Sequence, residues 1–118
     1  MSDLVEVRAV LAEVGAEFTD LEIVIAESGC DVAEIVSRLR ASGAGIALLL
    51  IDSPVSALDR AMLCAAIGPL AIDLAPQARI GAIDIANGAA TANVVAAANY
   101  LASARSTTGQ ILTVSATG

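Results

Sequence analysis

The chain has 118 residues, a length that suggests one domain, and its 13 acidic residues against six arginines give a net charge of −7. Lys and His are absent, which excludes lysine Schiff bases, Walker-type phosphate lysines, Ser-His or Cys-His nucleophile pairs and zincin sites. The acidic charge and a content of two aromatic residues also exclude the basic, stacking surface of a nucleic-acid binder.

Apolar residues exceed what a chain of this size is expected to bury. They make up 57% of the sequence, and 26 of them are Ala. We therefore expect another chain to cover part of the surface, although small exposed Ala residues alone could account for the surplus.

The sequence contains no segment with the pattern of a membrane span or a signal peptide. The best apolar stretches, residues 43–51 and 61–72, are far shorter than the roughly 18 residues that cross a bilayer. The acidic N-terminus is not followed by an apolar run. We expect a soluble, cytoplasmic protein without membrane contacts.

The first half of the chain predicts alternating helices and strands. Apolar spacing predicts a helix over residues 3–16, and β-branched residues predict a strand over 21–26. A capping box at residues 31–34 opens a second helix, which ends at 42–43. The continuous apolar run of residues 45–51 is typical of a strand buried on both faces.

The second half continues the alternation. Ser53 and Pro54 predict the cap and first position of a third helix, which extends to Ala75. Two more strands are predicted, over residues 79–85 and 110–114, with a helix over 92–104 between them. This order predicts βαβ units and a parallel sheet. We predict a single α/β domain over residues 1–118, with a three-layer, Rossmann-like arrangement of about four parallel strands and flanking helices.

Acidic residues stand at the ends of the first three predicted strands. They are Glu27, Asp52 and Asp84, and ligands of open parallel sheets bind at this edge. Because neighbouring strands lie about 4.8 Å apart, three carboxylates there could hold Mg²⁺ or Ca²⁺. The alternative is that each acid caps the helix that follows it. We favour the alternative and predict no metal, because no phosphate-binding loop or further ligand accompanies these residues.

The start of the third helix suggests two further sites. Ser53, Ser56 and Arg60 could bind a small anion at a helix N-terminus, or they could form a helix cap and a surface turn. Arg60 with Asp59 could also belong to an ion pair at an interface. Asp52 after an apolar strand is typical of a receiver-domain phosphoacceptor, but such domains need more acids and a lysine.

The two cysteines lack the spacing and the neighbours of a reactive site. Cys30 and Cys64 are 34 residues apart and lie among apolar residues. No base is available to activate Cys64, and we interpret both residues as small hydrophobic core residues with free thiols.

Four segments of the C-terminal half match the motifs of a known family. Residues 100–103 (YLAS) precede residues 108–114 (TGQILTV), and residues 70–76 (LAIDLAP) precede residues 78–83 (ARIGAI). The first pair resembles the "F/YLAS" helix end and "TGQ-x-L-x-V" last strand of the short-chain dehydrogenase/reductase family. The second pair is similar to the end of that family's catalytic helix and the strand after it. The resemblance is concentrated in residues 56–118.

The chain departs from the family where the reaction takes place. It has no glycine-rich GxGxxG turn for a dinucleotide. The family's Tyr-x-x-x-Lys falls on Ser56 and Arg60, and its catalytic serine could match Ser53, with two residues instead of about a dozen before the tyrosine place. Serine has too high a pKa to replace the tyrosine, and Arg60 cannot relay a proton. The resemblance therefore implies no catalytic residue and no bound cofactor.

The segments that remain are those through which the family assembles. Its two long central helices form a four-helix bundle across a two-fold axis, and its last helix and strand make a second interface. The matching segments are residues 31–42, 54–75 and 92–114, with Tyr100 at a place that packs against another subunit. The resemblance implies a truncated, non-catalytic subunit that pairs with itself or with a complete NAD(P)-dependent dehydrogenase. Two alternatives remain: an obligate subunit of a hetero-oligomeric oxidoreductase, and a module that binds a small ligand or divalent metal.

Overall fold

A computed structural model describes residues 20–104 and 108–115. The strands are β1 (Leu21–Ala26), β2 (Ile46–Ile51), β3 (Arg79–Ile85) and β4 (Gln110–Val114), and the helices are α1 (Val32–Arg40), α2 (Ala57–Leu74) and α3 (Thr91–Ser103). Every element predicted within the described residues is confirmed. The predicted helix over residues 3–16 lies outside them.

The four strands form one parallel sheet in the order β1-β2-β3-β4. Helices α1 and α2 pack on one face, and α3 packs on the other. This arrangement confirms the predicted three-layer, Rossmann-like α/β fold. All three crossovers step in the same direction across the sheet, but the helix of the third lies on the opposite face. The β3–α3–β4 crossover therefore has the opposite hand to the two before it.

The sheet separates two hydrophobic cores. Every residue of β2 is buried, which confirms the prediction of a strand covered on both faces. Leu49 and Ile51 face α2, where they join Leu63 and Ile67, and the alternate residues of β2 face α3. A fully buried side chain of this size contributes about 1.5–3 kcal/mol to folding. The burial of β2 therefore fixes the position of its carboxyl end.

The helix α2 begins three residues later than Ser53 and Pro54 predict. Its N-cap is Ser56, whose hydroxyl accepts a hydrogen bond from the Asp59 N–H at 3.1 Å. Pro54 lies instead in a turn that the Val55 N–H closes by donating to the Asp52 carbonyl at 3.1 Å. The prediction was wrong because Ser-Pro is a signature of turns as well as of helix starts.

The helix α1 begins where the sequence predicts. The Asp31 carboxylate accepts hydrogen bonds from the N–H groups of Ala33 and Glu34, at 3.0 and 3.3 Å. This cap satisfies two of the N–H groups that a helix start leaves without partners.

Over residues 20–104 and 108–115, the structure contains no helix that combines the length and the apolar character needed to cross a membrane.

Candidate functional site

The acidic residues at the strand ends take three different positions. Glu27 and Asp52 directly follow β1 and β2, but Asp84 lies inside β3, where its register partner is Ile51. Glu27 is exposed and Asp52 is buried, whereas Asp84 is about one quarter exposed. Asp84 shares the sheet face of Ile51 and is therefore covered by α2.

None of these acids caps the helix that follows it, so that prediction is wrong. The caps of α1 and α2 are Asp31 and Ser56. The Asp52 carboxylate instead accepts a hydrogen bond from the Ser53 N–H at 2.9 Å, and its carbonyl closes the turn before α2. The third helix, α3, begins after Ala90, whose side chain makes no cap hydrogen bond.

The three acids also do not form a metal site. In the part of the chain that the structure describes, no group of three or more Cys, Asp or Glu side chains could hold a metal ion. The pairing of the Asp84 carboxylate with an arginine is a sufficient physical reason why these three acids do not form a metal site. The cation charge that a metal would supply at Asp84 is already provided by the protein.

Arg60 is the centre of the site at this edge of the sheet. From the first turns of α2, its Nη1 donates to the Asp84 carboxylate, and its Nη2 donates to the carbonyls of Asp52, Ser53 and Val55 at 2.9, 3.0 and 3.2 Å. The side chain is 20% exposed. It therefore joins α2 to β3 and to the turn that follows β2.

The predicted anion-binding residues are brought together, but in a different way. Arg60 binds Ser53 through the Ser53 carbonyl, and the Ser56 hydroxyl accepts from the Asp59 N–H. Within the chain Arg60 pairs with Asp84, and the membership of Arg60 and Asp59 in an ion pair at an interface stays a prediction. The sequence alone does not reveal the Arg60–Asp84 pair, because the two residues lie 24 positions apart. The presence of an acid at the end of β3 was the one signal for it.

Both cysteine thiols lie on the side of the sheet that α1 and α2 cover, and both are free. Burial raises the pKa of the Cys64 thiol, and the nearby Asp84 carboxylate raises it further, while Arg60 opposes the shift. Burial and then Asp59 raise the pKa of Cys30. Since a raised pKa keeps a thiol protonated, neither cysteine has the character of a nucleophile.

The outer face of α2 is the second candidate site. Leu58, Met62 and Ile72 are exposed by 70%, 48% and 79%. We call this face the α2 stripe, and its exposed residues are Leu58, Ala61, Met62, Ala65, Gly68, Pro69 and Ile72. The family resemblance implies an interface in residues 54–75 but does not identify these positions. Tyr100 on α3 and Ile111 on β4 are also exposed.

A model of the SDR-like family, described as short chain dehydrogenase-like protein, matches residues 26–114. The match extends from the end of β1 to the end of β4. The chain belongs to the SDR-like family. No curated protein and no solved structure matches it.

The most specific motif of this SDR-like chain has a structural role in it. Gly109 has a φ of 78°, and its N–H donates to the Ile80 carbonyl at 2.7 Å. A Cβ on Gly109 would lie 3.2 Å from the Ala71 Cβ. The Thr108 hydroxyl accepts from the Ile80 N–H at 3.0 Å. The TGQ segment therefore joins β4 to β3, and glycine satisfies both the backbone conformation and the close approach to α2.

The dinucleotide cofactor implied by the short-chain dehydrogenases does not fit the residues present. The chain has no GxGxxG turn. Arg60, at the place of the family's lysine, directs both terminal nitrogens to acceptors of its own chain. Ser56, at the place of the tyrosine, is a helix cap.

Proposed function

We propose that this SDR-like chain is a non-catalytic subunit, which assembles through α2 with itself or with a complete NAD(P)-dependent dehydrogenase. The observation that carries this proposal is the α2 stripe, an apolar helix face that no described element covers. In a helix, residues three and four positions apart share a face, so the seven positions of the stripe form one continuous surface.

The composition of α2 supports an interface on its outer face. A surface helix normally has one apolar and one polar face, whereas α2 has apolar residues both toward the sheet and on the stripe. The middle of the stripe consists of the small residues Ala61, Ala65 and Gly68. Their small size permits another helix to approach closely. Burial of this surface would stabilise a complex by about 25 cal/mol per Å² of apolar area.

The hydrogen bonds of the degenerate positions support a subunit without catalysis. The Ser56 hydroxyl caps α2, and Arg60 is paired with Asp84. Neither residue is placed to act as an acid or base, because the Ser56 hydroxyl accepts at the helix cap and the Arg60 guanidinium donates to acceptors of its own chain. The alternative of an obligate oxidoreductase subunit requires the partner to supply both the cofactor site and the catalytic residues. The geometry at Asp84 gives the metal-binding alternative no support.

The test is the molar mass of the 11.8 kDa chain in solution, by size-exclusion chromatography with light scattering. We expect the wild type to be a dimer or larger, and Met62→Asp to be a monomer that remains folded. Ser37→Asp on the exposed face of α1 is the matched control, and its mass should equal that of the wild type. A wild type and a Met62→Asp variant of equal mass would exclude self-assembly through the stripe.

A second arm distinguishes the partner. Tagged wild type and tagged Met62→Asp are used to capture proteins from the native cell extract, and bound proteins are identified by mass spectrometry. A complete dehydrogenase bound by the wild type and lost with Met62→Asp identifies the partner. Activity of that complex, compared with the dehydrogenase alone, tests the oxidoreductase alternative. If the wild type is a monomer and captures no dehydrogenase, the proposed function is wrong.

A further inference from the structure

The edge of the sheet between β2 and β3 is filled by a cation of the chain itself. Ligands of open parallel sheets bind at the carboxyl ends of strands, and the ends of β2 and β3 are adjacent here. The Arg60 side chain extends from α2 across this edge to Asp84, and the two side chains are 20% and 23% exposed. They lie where a bound group would enter.

The terminal nitrogens of Arg60 have no donor left for an external ligand. A guanidinium has two N–H groups on each terminal nitrogen. Nη2 donates to the carbonyls of Asp52, Ser53 and Val55, and Nη1 donates to Asp84 and lies 3.5 Å from the Ile85 carbonyl. Five acceptors of the chain therefore surround four N–H groups.

The charge of the Arg60–Asp84 pair is balanced as well. The Asp84 carboxylate neutralises the guanidinium, so the pair offers neither a free cation for a phosphate nor a free carboxylate for a ribose hydroxyl. A ligand that displaced Arg60 would leave Asp84 partly buried and unpaired, together with three loop carbonyls that lose a donor. Binding at this edge would thus begin by breaking contacts that hold the fold.

We propose that the Arg60–Asp84 pair is a built-in closure of this edge, which excludes NAD(P) from it in the free chain and in an assembly. The pair performs a structural task instead. It holds the turn of residues 52–55 and the first turns of α2 against β3, so the start of the α2 stripe is positioned without a cofactor. This inference concerns the edge alone, and it stands or falls independently of what the stripe binds.

The first test is a titration with NADH and NADPH, followed by the fluorescence of the reduced nicotinamide. The chain has no Trp, so protein emission interferes little. We expect no saturable binding up to about 1 mM with the wild type, a limit below which affinities are ordinarily measurable. Saturable binding below that concentration would overturn the closure. Arg60→Lys restores the residue of the family but cannot satisfy the same acceptors, so this variant should gain saturable binding; no gain would assign the exclusion to the missing glycine-rich turn and overturn the closure.

The second test measures the contacts of Arg60 directly by NMR of the arginine side chains. We expect the Nη protons of Arg60 to be resolved and slow to exchange. Arg38, which is exposed, is the internal control and should show averaged signals. Asp84→Asn should speed the exchange of the Nη1 protons, while the Nη2 protons keep their carbonyl acceptors, and addition of NADPH to the wild type should change nothing. Averaged Arg60 signals in the wild type, or a shift of these signals with NADPH, would contradict the closure.

The two proposals fail in different measurements. The mass of the Met62→Asp variant tests assembly and leaves Arg60 untouched. The nicotinamide titration and the Arg60 signals test the closure and do not depend on the oligomeric state. A dimer that binds NADPH would therefore retain the proposed assembly and reject the closure, and a monomer that binds none would do the reverse.

Discussion

The helices α1 and α2 cover the same face of the sheet but present opposite surfaces to solvent. Outward positions of α1 include Glu34, Ser37, Arg38 and Arg40, whereas those of α2 form the apolar α2 stripe. Both helices bury apolar residues against the sheet, among them Leu39 of α1. The outer face of α1 is polar and that of α2 is apolar, and the proposed assembly through the α2 stripe accounts for this difference.

An arginine links α2 to another element near each of its two ends. The two ion pairs differ in how far their side chains are exposed to solvent. Arg40 of α1 binds Asp73 near the end of α2 at 2.8 Å, and both side chains are 53% exposed. Arg60 and Asp84 are largely covered, and Arg60 has backbone acceptors in addition. Water competes less with the second pair than with the first, so the end of α2 near the sheet edge is the more firmly held one.

The largest expected effect is on the free energy of unfolding, when each of these two ion pairs is broken by its own substitution. Arg60→Ala leaves a partly buried carboxylate and three carbonyls without their donor, and we expect it to lower the free energy of unfolding by about 3 kcal/mol. Arg40→Ala removes an exposed pair and should cost less than about 1 kcal/mol. Urea denaturation followed by circular dichroism measures both. Equal losses would mean that burial does not distinguish the pairs.

Local sequence patterns were sufficient for the elements but not for their partners. Asp31 and the apolar run of β2 are local signals, because a cap and a buried strand are defined by adjacent residues. The pair of Arg60 with Asp84 joins residues far apart in the chain, and no local pattern specifies it. The face on which α3 packs was also beyond prediction, since apolar spacing identifies a buried side of a helix and not the side of the sheet.

The caps of α1 and α2 allow a second comparison of the two helices. The Asp31 carboxylate accepts hydrogen bonds from two N–H groups and carries a charge that the helix dipole favours. The Ser56 hydroxyl accepts a hydrogen bond from one N–H group. We expect Asp31→Ala to cost about 1 kcal/mol and Ser56→Ala about 0.5 kcal/mol. Thermal denaturation of both variants measures the difference. Ala90→Ser at the uncapped start of α3 should act in the opposite direction, and a loss of stability there would contradict this account of caps.

A substitution at Gly68 has one expected effect on the stability of the fold and a different one on assembly through the α2 stripe. Apart from its chain neighbours and the backbone of its own helix, a Cβ at Gly68 would meet no atom within 4 Å. Ala is the better helix former, but its Cβ beside Pro69 opposes part of the gain, so Gly68→Ala should raise the stability of the monomer by at most about 0.5 kcal/mol. If a partner helix packs closely there, the same change should weaken assembly. Measurement in the Met62→Asp background isolates the first effect, and light scattering of the Gly68→Ala single variant measures the second. A gain in stability with unchanged assembly would place the contact elsewhere on the stripe.

The smallest expected effect is the alkaline loss of stability from Cys64, which lies on α2 near Arg60 and Asp84. Burial and Asp84 raise the pKa of its thiol in the folded protein above the unfolded value of about 8.5. The unfolded thiol therefore ionises first as pH rises, so stability contributed below that value is lost as the pH passes through the folded pKa. Urea denaturation at intervals from neutral to alkaline pH should show a decline that is shallower in Cys64→Ala. Cys30→Ala is the matched control for the other, partly buried thiol, since its pKa is raised mainly by burial and by Asp59. A steeper decline in Cys64→Ala than in the wild type would reverse the sign of the shift and show that Arg60 outweighs burial and Asp84 together at this thiol.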